Sequence, residues 1–180
     1  LPINARKRYQ RLLSLQPELL AYGQESSFNK LVLKDNCKTG VIVSGIAYNY
    51  LQESLEQSGK ELSYLKIGTY PLPIEKIKKL FSSVEKVFIF EEGYPFIEEK
   101  LVGILPNNYK INGMLDGTLP QFGELTPEIV SLALGEGPIP HEKEPELKIP
   151  PRPPALCKGC PHIDLYNVLN TVMESYPEGR

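Results

Sequence analysis

The sequence is short of three things: cysteine, an excess of either charge, and long apolar runs. Its 180 residues hold three cysteines, one alone at position 37 and two together at 157 and 160. That is not the even-numbered framework of a small secreted scaffold, so the cysteines point to a reducing compartment. Twenty Lys and Arg against 22 Asp and Glu leave a net charge of -2, which excludes the basic footprint of a nucleic-acid binder. No stretch approaches the ~20 apolar residues of a membrane helix, and Leu1-Pro2-Ile3-Asn4 has no apolar signal core. The reading is a cytoplasmic protein with no nucleic-acid or membrane partner. There is no internal repeat. Leu1 opens the chain, and Pro177-Glu178-Gly179-Arg180 follow a helical pattern that stops, so both ends read as cut from something longer.

What is present is an alternation of short apolar runs and helical spacing. Residues 1–30 read as a helical lead-in. Asn4 is positioned to cap a helix from Ala5 to about Leu15, and Pro17 to open a second from Glu18 to Glu25. Leu12, Leu15, Leu19 and Leu20 would form its buried stripe. Arg6, Lys7, Arg8 and Arg11 read as a solvated face, with phosphate binding as the sharper alternative. Gly40 to Gly45 (GVIVSG) reads as a buried strand. A helix follows from Ile46 to Ser58, with Ile46, Tyr50, Leu51 and Leu55 on one face and Gly59 as its C-cap. Leu62 to Ile67 and Lys86 to Phe90 read as further strands, and Tyr109 to Ile111 as a fourth. Ile74 to Phe81, Pro95 to Gly103 and Pro127 to Leu134 read as helices, the last capped by Thr126.

Strands alternating with helices imply right-handed βαβ units and an α/β fold: three α/β/α layers around a mostly parallel sheet. Ile42 to Ser44, Leu65 to Ile67 and Val87 to Phe90 should be adjacent parallel strands. Ligands on such sheets sit at the carboxyl ends of the strands. Here that edge is Ser44-Gly45, Gly68-Thr69-Tyr70 and Glu91-Glu92-Gly93. Pro138, Pro140, Pro145, Pro150, Pro151, Pro153 and Pro154 then mark an extended linker over 137–154, since proline fixes φ and donates no hydrogen bond. Beyond it, Asp164 to Tyr176 reads as an amphipathic helix with Leu165, Val168, Leu169, Val172 and Met173 inward.

Three motifs carry possible chemistry. Ser44-Gly45 lacks a full G-x-G-x-x-G, so it reads as a tight strand-to-helix turn before it reads as a phosphate site. Glu91-Glu92 reads as a solvated or interface charge pair, with catalytic carboxylates as the alternative. Cys157-x-x-Cys160 is sharper, because one turn lets two sulfurs converge on a metal or cluster. His162 stands close by. A full site needs about four protein ligands, and no second cysteine pair is present. Spacing alone leaves cluster ligation, a redox pair and a structural turn all open.

Arg152-Pro153-Pro154-Ala155-Leu156-Cys157-Lys158-Gly159-Cys160-Pro161-His162 resembles the R-P-P-x-L-C-x-G-C-P-H stretch of the large subunit family of indolepyruvate:ferredoxin oxidoreductases. Gly45 to Glu53, Thr69-Tyr70-Pro71-Leu72-Pro73, Glu91 to Glu99 and Gly123 to Val130 are similar to other runs of that family, in the same order. Asn4-Ala5-Arg6 and Ser26-Ser27-Phe28-Asn29 also fit. Lys158 replaces the proline often found between the cysteines, and Ile163-Asp164 stands where Arg-Gly is common.

The resemblance implies that residues 31–136 form a domain like the C-terminal domain of transketolase. It implies that residues 155–180 begin a truncated thiamine-diphosphate domain. Cys157 and Cys160 become candidate iron–sulfur ligands in the full-length subunit only. The implied enzyme decarboxylates aryl pyruvates oxidatively, with thiamine diphosphate and Mg, iron–sulfur clusters, and CoA as co-substrate; none of these is expected on this chain alone. The implied partners are the rest of the same subunit, a small (beta) subunit and ferredoxin. No catalytic residue falls in this chain. A free-standing nucleotide- or CoA-binding α/β module and a cysteine-pair metal or redox protein are the alternatives.

Overall fold

The computed structural model describes residues 2–105, 109–139 and 155–176. The chain divides into two compact units, Leu1–Pro140 and His141–Arg180. The first unit holds a five-stranded sheet of order β1-β3-β2-β4-β5. Its strands are β1 (Lys30–Val32), β2 (Thr39–Ser44), β3 (Ser63–Ile67), β4 (Lys86–Phe90) and β5 (Ile111–Asn112). The helices between and around them are α1 (Pro2–Glu25), α2 (Ala47–Ser58), α3 (Ile74–Ser83), α4 (Phe96–Val102) and α5 (Pro127–Ala133).

β2 pairs in parallel with β3 and β4, and β4 with β5. The three expected parallel strands are therefore neighbours, with β2 between the other two. Alternating residues separate the two faces of the sheet. Ile42, Leu65, Ile67, Val87 and Ile89 pack on one side with Ile77 and Leu80 of α3 and Ile97 and Leu101 of α4. Val41, Val43, Phe88 and Phe90 pack on the other with Leu51 of α2 and Val130 of α5. This is the α/β/α layering that the sequence pattern predicts.

Local signals behave as their chemistry demands. Gly59 adopts φ +65° and donates its N–H to the Leu55 carbonyl at 2.9 Å, closing α2. The Thr126 hydroxyl accepts the Ile129 N–H at 3.2 Å, with Pro127 in the first turn of α5. The buried Ser54 of α2 donates to Glu136 at 2.9 Å, joining α2 to the end of α5.

Several expectations require correction. α1 is one helix through Pro17, and Asn4 lies inside it instead of capping it. Proline removes a single ladder hydrogen bond, and the Gln16 side chain donates to the Leu12 carbonyl beside that gap. Leu12, Leu15, Leu19 and Leu20 are exposed, because α1 packs chiefly through its C-terminal end. Ile46 is exposed too, since it precedes α2 and Ala47, Leu51 and Ser54 take the buried face. β1 was not expected. Its three residues pair antiparallel with β3, Leu31 opposite Leu65, and so short a strand shows no readable alternation. β5 begins at Ile111, where the expected strand ends.

Of the expected linker, residues 140–154 lie outside the described residues. Gly137 to Ile139 have no regular structure, yet they are tied down. Ser131 donates to the Gly137 carbonyl at 2.7 Å, and Ile139 is buried. In the second unit, α6 (Pro161–Glu174) carries the expected apolar positions, but none of its residues is buried. The turn before it and one helix offer no core of their own for Leu165, Val168, Leu169 and Val172 to enter.

Candidate functional site

The carboxyl ends of β3, β2 and β4 bring together the expected edge, and its polar atoms are engaged in holding loops. At β2, Ser44 is followed by Gly45 at φ +59°. The carbonyls of Gly45 and Ile46 accept from the amides of Tyr48 and Asn49, so the segment is a strand-to-helix turn.

At β3, Asn29 organises the edge. It is 1% exposed and all of its side-chain bonding capacity is used. Its Nδ2 donates to the carbonyls of Gly23 at 2.8 Å and Thr69 at 3.0 Å. Its Oδ1 accepts the N–H groups of Gly68 at 2.9 Å and Thr69 at 3.1 Å. The backbones approach so closely that a Cβ on Gly68 would lie 2.8 Å from the Phe28 carbonyl oxygen, and one on Gly23 2.2 Å from that of Pro71. Lys76 of α3 adds its ammonium to the carbonyls of Ser26 and Asn29. The sequence reading missed Asn29. The signal was an Asn between an apolar helix end and a strand, a position suited to hydrogen bonding with the backbone.

At β4, Glu91 is 4% exposed and accepts the N–H groups of Ile97 at 2.8 Å and Glu98 at 3.0 Å. A carboxylate at a helix start meets free N–H groups and the positive end of the helix dipole. Glu98, 3% exposed, accepts from Met114 at 2.9 Å and Leu115 at 3.2 Å. Burial raises both carboxyls above the ordinary glutamate range, against the lowering effect of those amides. Glu92 accepts from Leu125 at 2.9 Å. The solvated-pair expectation fails for Glu91, and the catalytic alternative finds no geometric support. These carboxylates staple loops, and each bond leads to a backbone amide.

The cysteine motif forms a turn at the start of α6. Gly159 takes φ +83°, and the Cys160 N–H donates to the Cys157 carbonyl at 2.9 Å. Pro161 occupies the first turn of the helix. Cys160 Sγ lies 3.3 Å from His162 Nδ1. Cys37, Cys157 and Cys160 are all free thiols, and Cys37 donates to the Glu61 carbonyl at 3.3 Å. Among the described residues, no group of three or more His, Cys, Asp and Glu side chains is placed to hold a metal ion. Cys157 and Cys160 thus offer two thiolate donors of the four that a cluster takes. Arg6, Lys7, Arg8 and Arg11 are exposed along α1.

Comparison with known proteins adds one consistent likeness. The chain is 34% identical over 173 residues to the protein named indolepyruvate oxidoreductase subunit IorA of Methanothermobacter thermautotrophicus; the match covers 92% of this chain and 28% of that one. It is 34% identical over 155 residues to the subunit of the same name from Pyrococcus horikoshii, covering 78% and 24%. The Archaeoglobus fulgidus subunit is 30% identical over 188 aligned positions, covering 97% and 29%. The chain therefore spans little more than a quarter of the length of the curated relatives it matches. No family model matches it, and no solved structure matches it.

Proposed function

We propose, from the premise that the chain is related along nearly its whole length to part of the IorA subunit of indolepyruvate oxidoreductase, that it serves as one section of a 2-oxoacid oxidoreductase subunit. The reaction is oxidative decarboxylation of an aryl pyruvate such as indolepyruvate to the acyl-CoA, with electrons passed to ferredoxin. The observation that carries this reading is the 34% identity across 92% of the chain.

Within that enzyme, the first unit acts as a structural and subunit-contact domain like the C-terminal domain of transketolase. It supplies no catalytic residue. The stapled loops support this, because Asn29, Glu91 and Glu98 spend their hydrogen bonds on backbone. Residues 137–154 link it to residues 155–180, the beginning of a diphosphate-binding domain. Thiamine diphosphate with Mg supplies the carbanion chemistry when bound, and protein positions it. The G-D-G…N signature for that group is absent from the sequence, so its ligands come from elsewhere in the subunit. Cys157 and Cys160 are offered as two ligands of an iron–sulfur cluster, the rest coming from other segments. The partners are the remainder of the subunit, a small subunit and ferredoxin, in the cytoplasm. No described helix is long and apolar enough to cross a membrane.

The test is purification of the native protein carrying this chain, through an affinity tag at its own locus. Indolepyruvate- and CoA-dependent reduction of a viologen dye is expected. A purified, thiamine-diphosphate-loaded protein that reduces no dye with any aryl pyruvate would sink the reading.

A further inference from the structure

We propose that the groove between α1, residues 68–73 and α4 binds a small apolar monoanion, a compact aromatic or aliphatic carboxylate. The groove encloses about 400 Å³, within the range of small-molecule sites. It opens beside the carboxyl ends of β3 and β4, where α/β sheets hold their ligands. Its walls are Leu20 of α1, Tyr70 and Leu72 of the loop, Phe96 of α4, and Ile104. Tyr70 and Phe96 meet edge to face at 5.5 Å and 86°, an arrangement that fixes one rim.

Charge decides the class of occupant. Lys100 is the one formally charged residue among those lining the groove. Its ammonium lies 5.7 Å from the centre of the Phe96 ring and, among the described residues, forms no ion pair. The neighbouring acids are engaged elsewhere: Glu99 with the Tyr94 hydroxyl, Glu75 with Lys78, and Glu91 with backbone amides. An apolar acid would bury its body against these walls and bring its carboxylate to Lys100. A cationic ligand would find no carboxylate in the lining. The proposal stands on the groove and goes beyond the assignment of the chain to an oxidoreductase subunit.

The test is titration of the 180-residue chain with naphthalene-2-acetate and, separately, its neutral amide, followed by amide NMR shifts. Shifts should cluster on residues 70–74 and α4. The acid should bind about threefold to fivefold more tightly than the amide, as expected for one exposed ion pair. Lys100→Met should remove that difference while leaving the amide's affinity in place. Ile104→Trp should fill the groove and abolish both. Equal affinity for acid and amide in the unmodified chain would overturn the proposal, and so would a preference that survives Lys100→Met. No shifts in the groove at ligand concentrations on the order of millimolar would also overturn it, and would mark the groove as a surface for protein.

Discussion

The carboxylate of Glu91, the first residue after β4, accepts the Ile97 N–H at 2.8 Å and so fastens the strand end to the helix that follows it. One residue on from Ile97, Glu98 passes the connection to the Met114 amide. Two buried carboxylates in series thus join β4, α4 and the loop after β5.

That chain of carboxylates sets a pH dependence. Burial raises both groups in the folded state. A raised acid binds more protons folded than unfolded, so its contribution is full below the ordinary glutamate value of about 4.3 and is lost as pH rises through the folded value. Glu98→Gln keeps an oxygen for Met114 and Leu115 and removes the ionisation. Urea midpoints of the variant should change less than those of the parent from about pH 4.3 upward. A parent that gains stability relative to the variant over that range would show that the amides outweigh burial. Glu98→Ala, which strands both amides, should cost about 2 kcal/mol or more.

Asn29 should be among the least replaceable polar residues. Alanine there leaves the buried Gly23 carbonyl, the half-buried Thr69 carbonyl and two N–H groups without their partner. A loss of about 2–4 kcal/mol is expected by denaturant unfolding. Hydrogen exchange at Gly68 and Thr69 should quicken more than at β2. Asn29→Asp should be no better, since it turns an acceptor toward the Gly23 and Thr69 carbonyls.

Gly23→Ala should loosen α1 selectively. Its Cβ would stand 2.2 Å from a backbone oxygen of Pro71, which no rotamer change relieves. Proteolysis within α1 should accelerate while the sheet persists, with a cost of about 1–3 kcal/mol. Unchanged protection of α1 would show that the loop yields easily.

Cys160→Ser separates two roles of one residue. Cys160 is the N-cap of α6 without a side-chain cap bond, and serine is a preferred N-cap. In the full-length subunit, the substitution should hold or improve the helix and diminish the iron–sulfur absorbance and EPR signal. A cluster signal equal to that of the parent would remove Cys160 from the ligand set. On the 180-residue chain, anaerobic reconstitution should leave less than one chelator-resistant cluster per chain, because two thiolates leave the metal open to water.

The sheet was legible because β2 and β4 are apolar runs buried on both faces and β3 alternates buried Ser63, Leu65 and Ile67 with half-buried Tyr64 and Lys66, patterns local in sequence. Gly59 and Thr126 were legible because a cap is one residue acting on its neighbours. What escaped was non-local. β1 exists through its pairing with β3, about thirty residues away in sequence. The burial of Glu91 and Glu98 depends on amides of α4 and the loop after β5, which composition does not reveal. The α1 leucines have helical spacing that fits a buried stripe, but spacing cannot supply the surface that would cover them. For the cysteine turn, the C-x-x-C spacing was readable, but the helix after it begins at Pro161 and not at the expected Asp164, and the number of ligands lies beyond the turn itself.

The central place of β2 bears on how the chain is made. β2 leaves the ribosome before β3 and β4, both of its eventual neighbours. Until then, Val41, Ile42 and Val43 have a nascent α2 for cover but no partner along either edge. A translational pause just after α2 would present this apolar strand to chaperones or to another nascent chain. A pause after Phe90 has emerged would not, because both flanking strands could then dock.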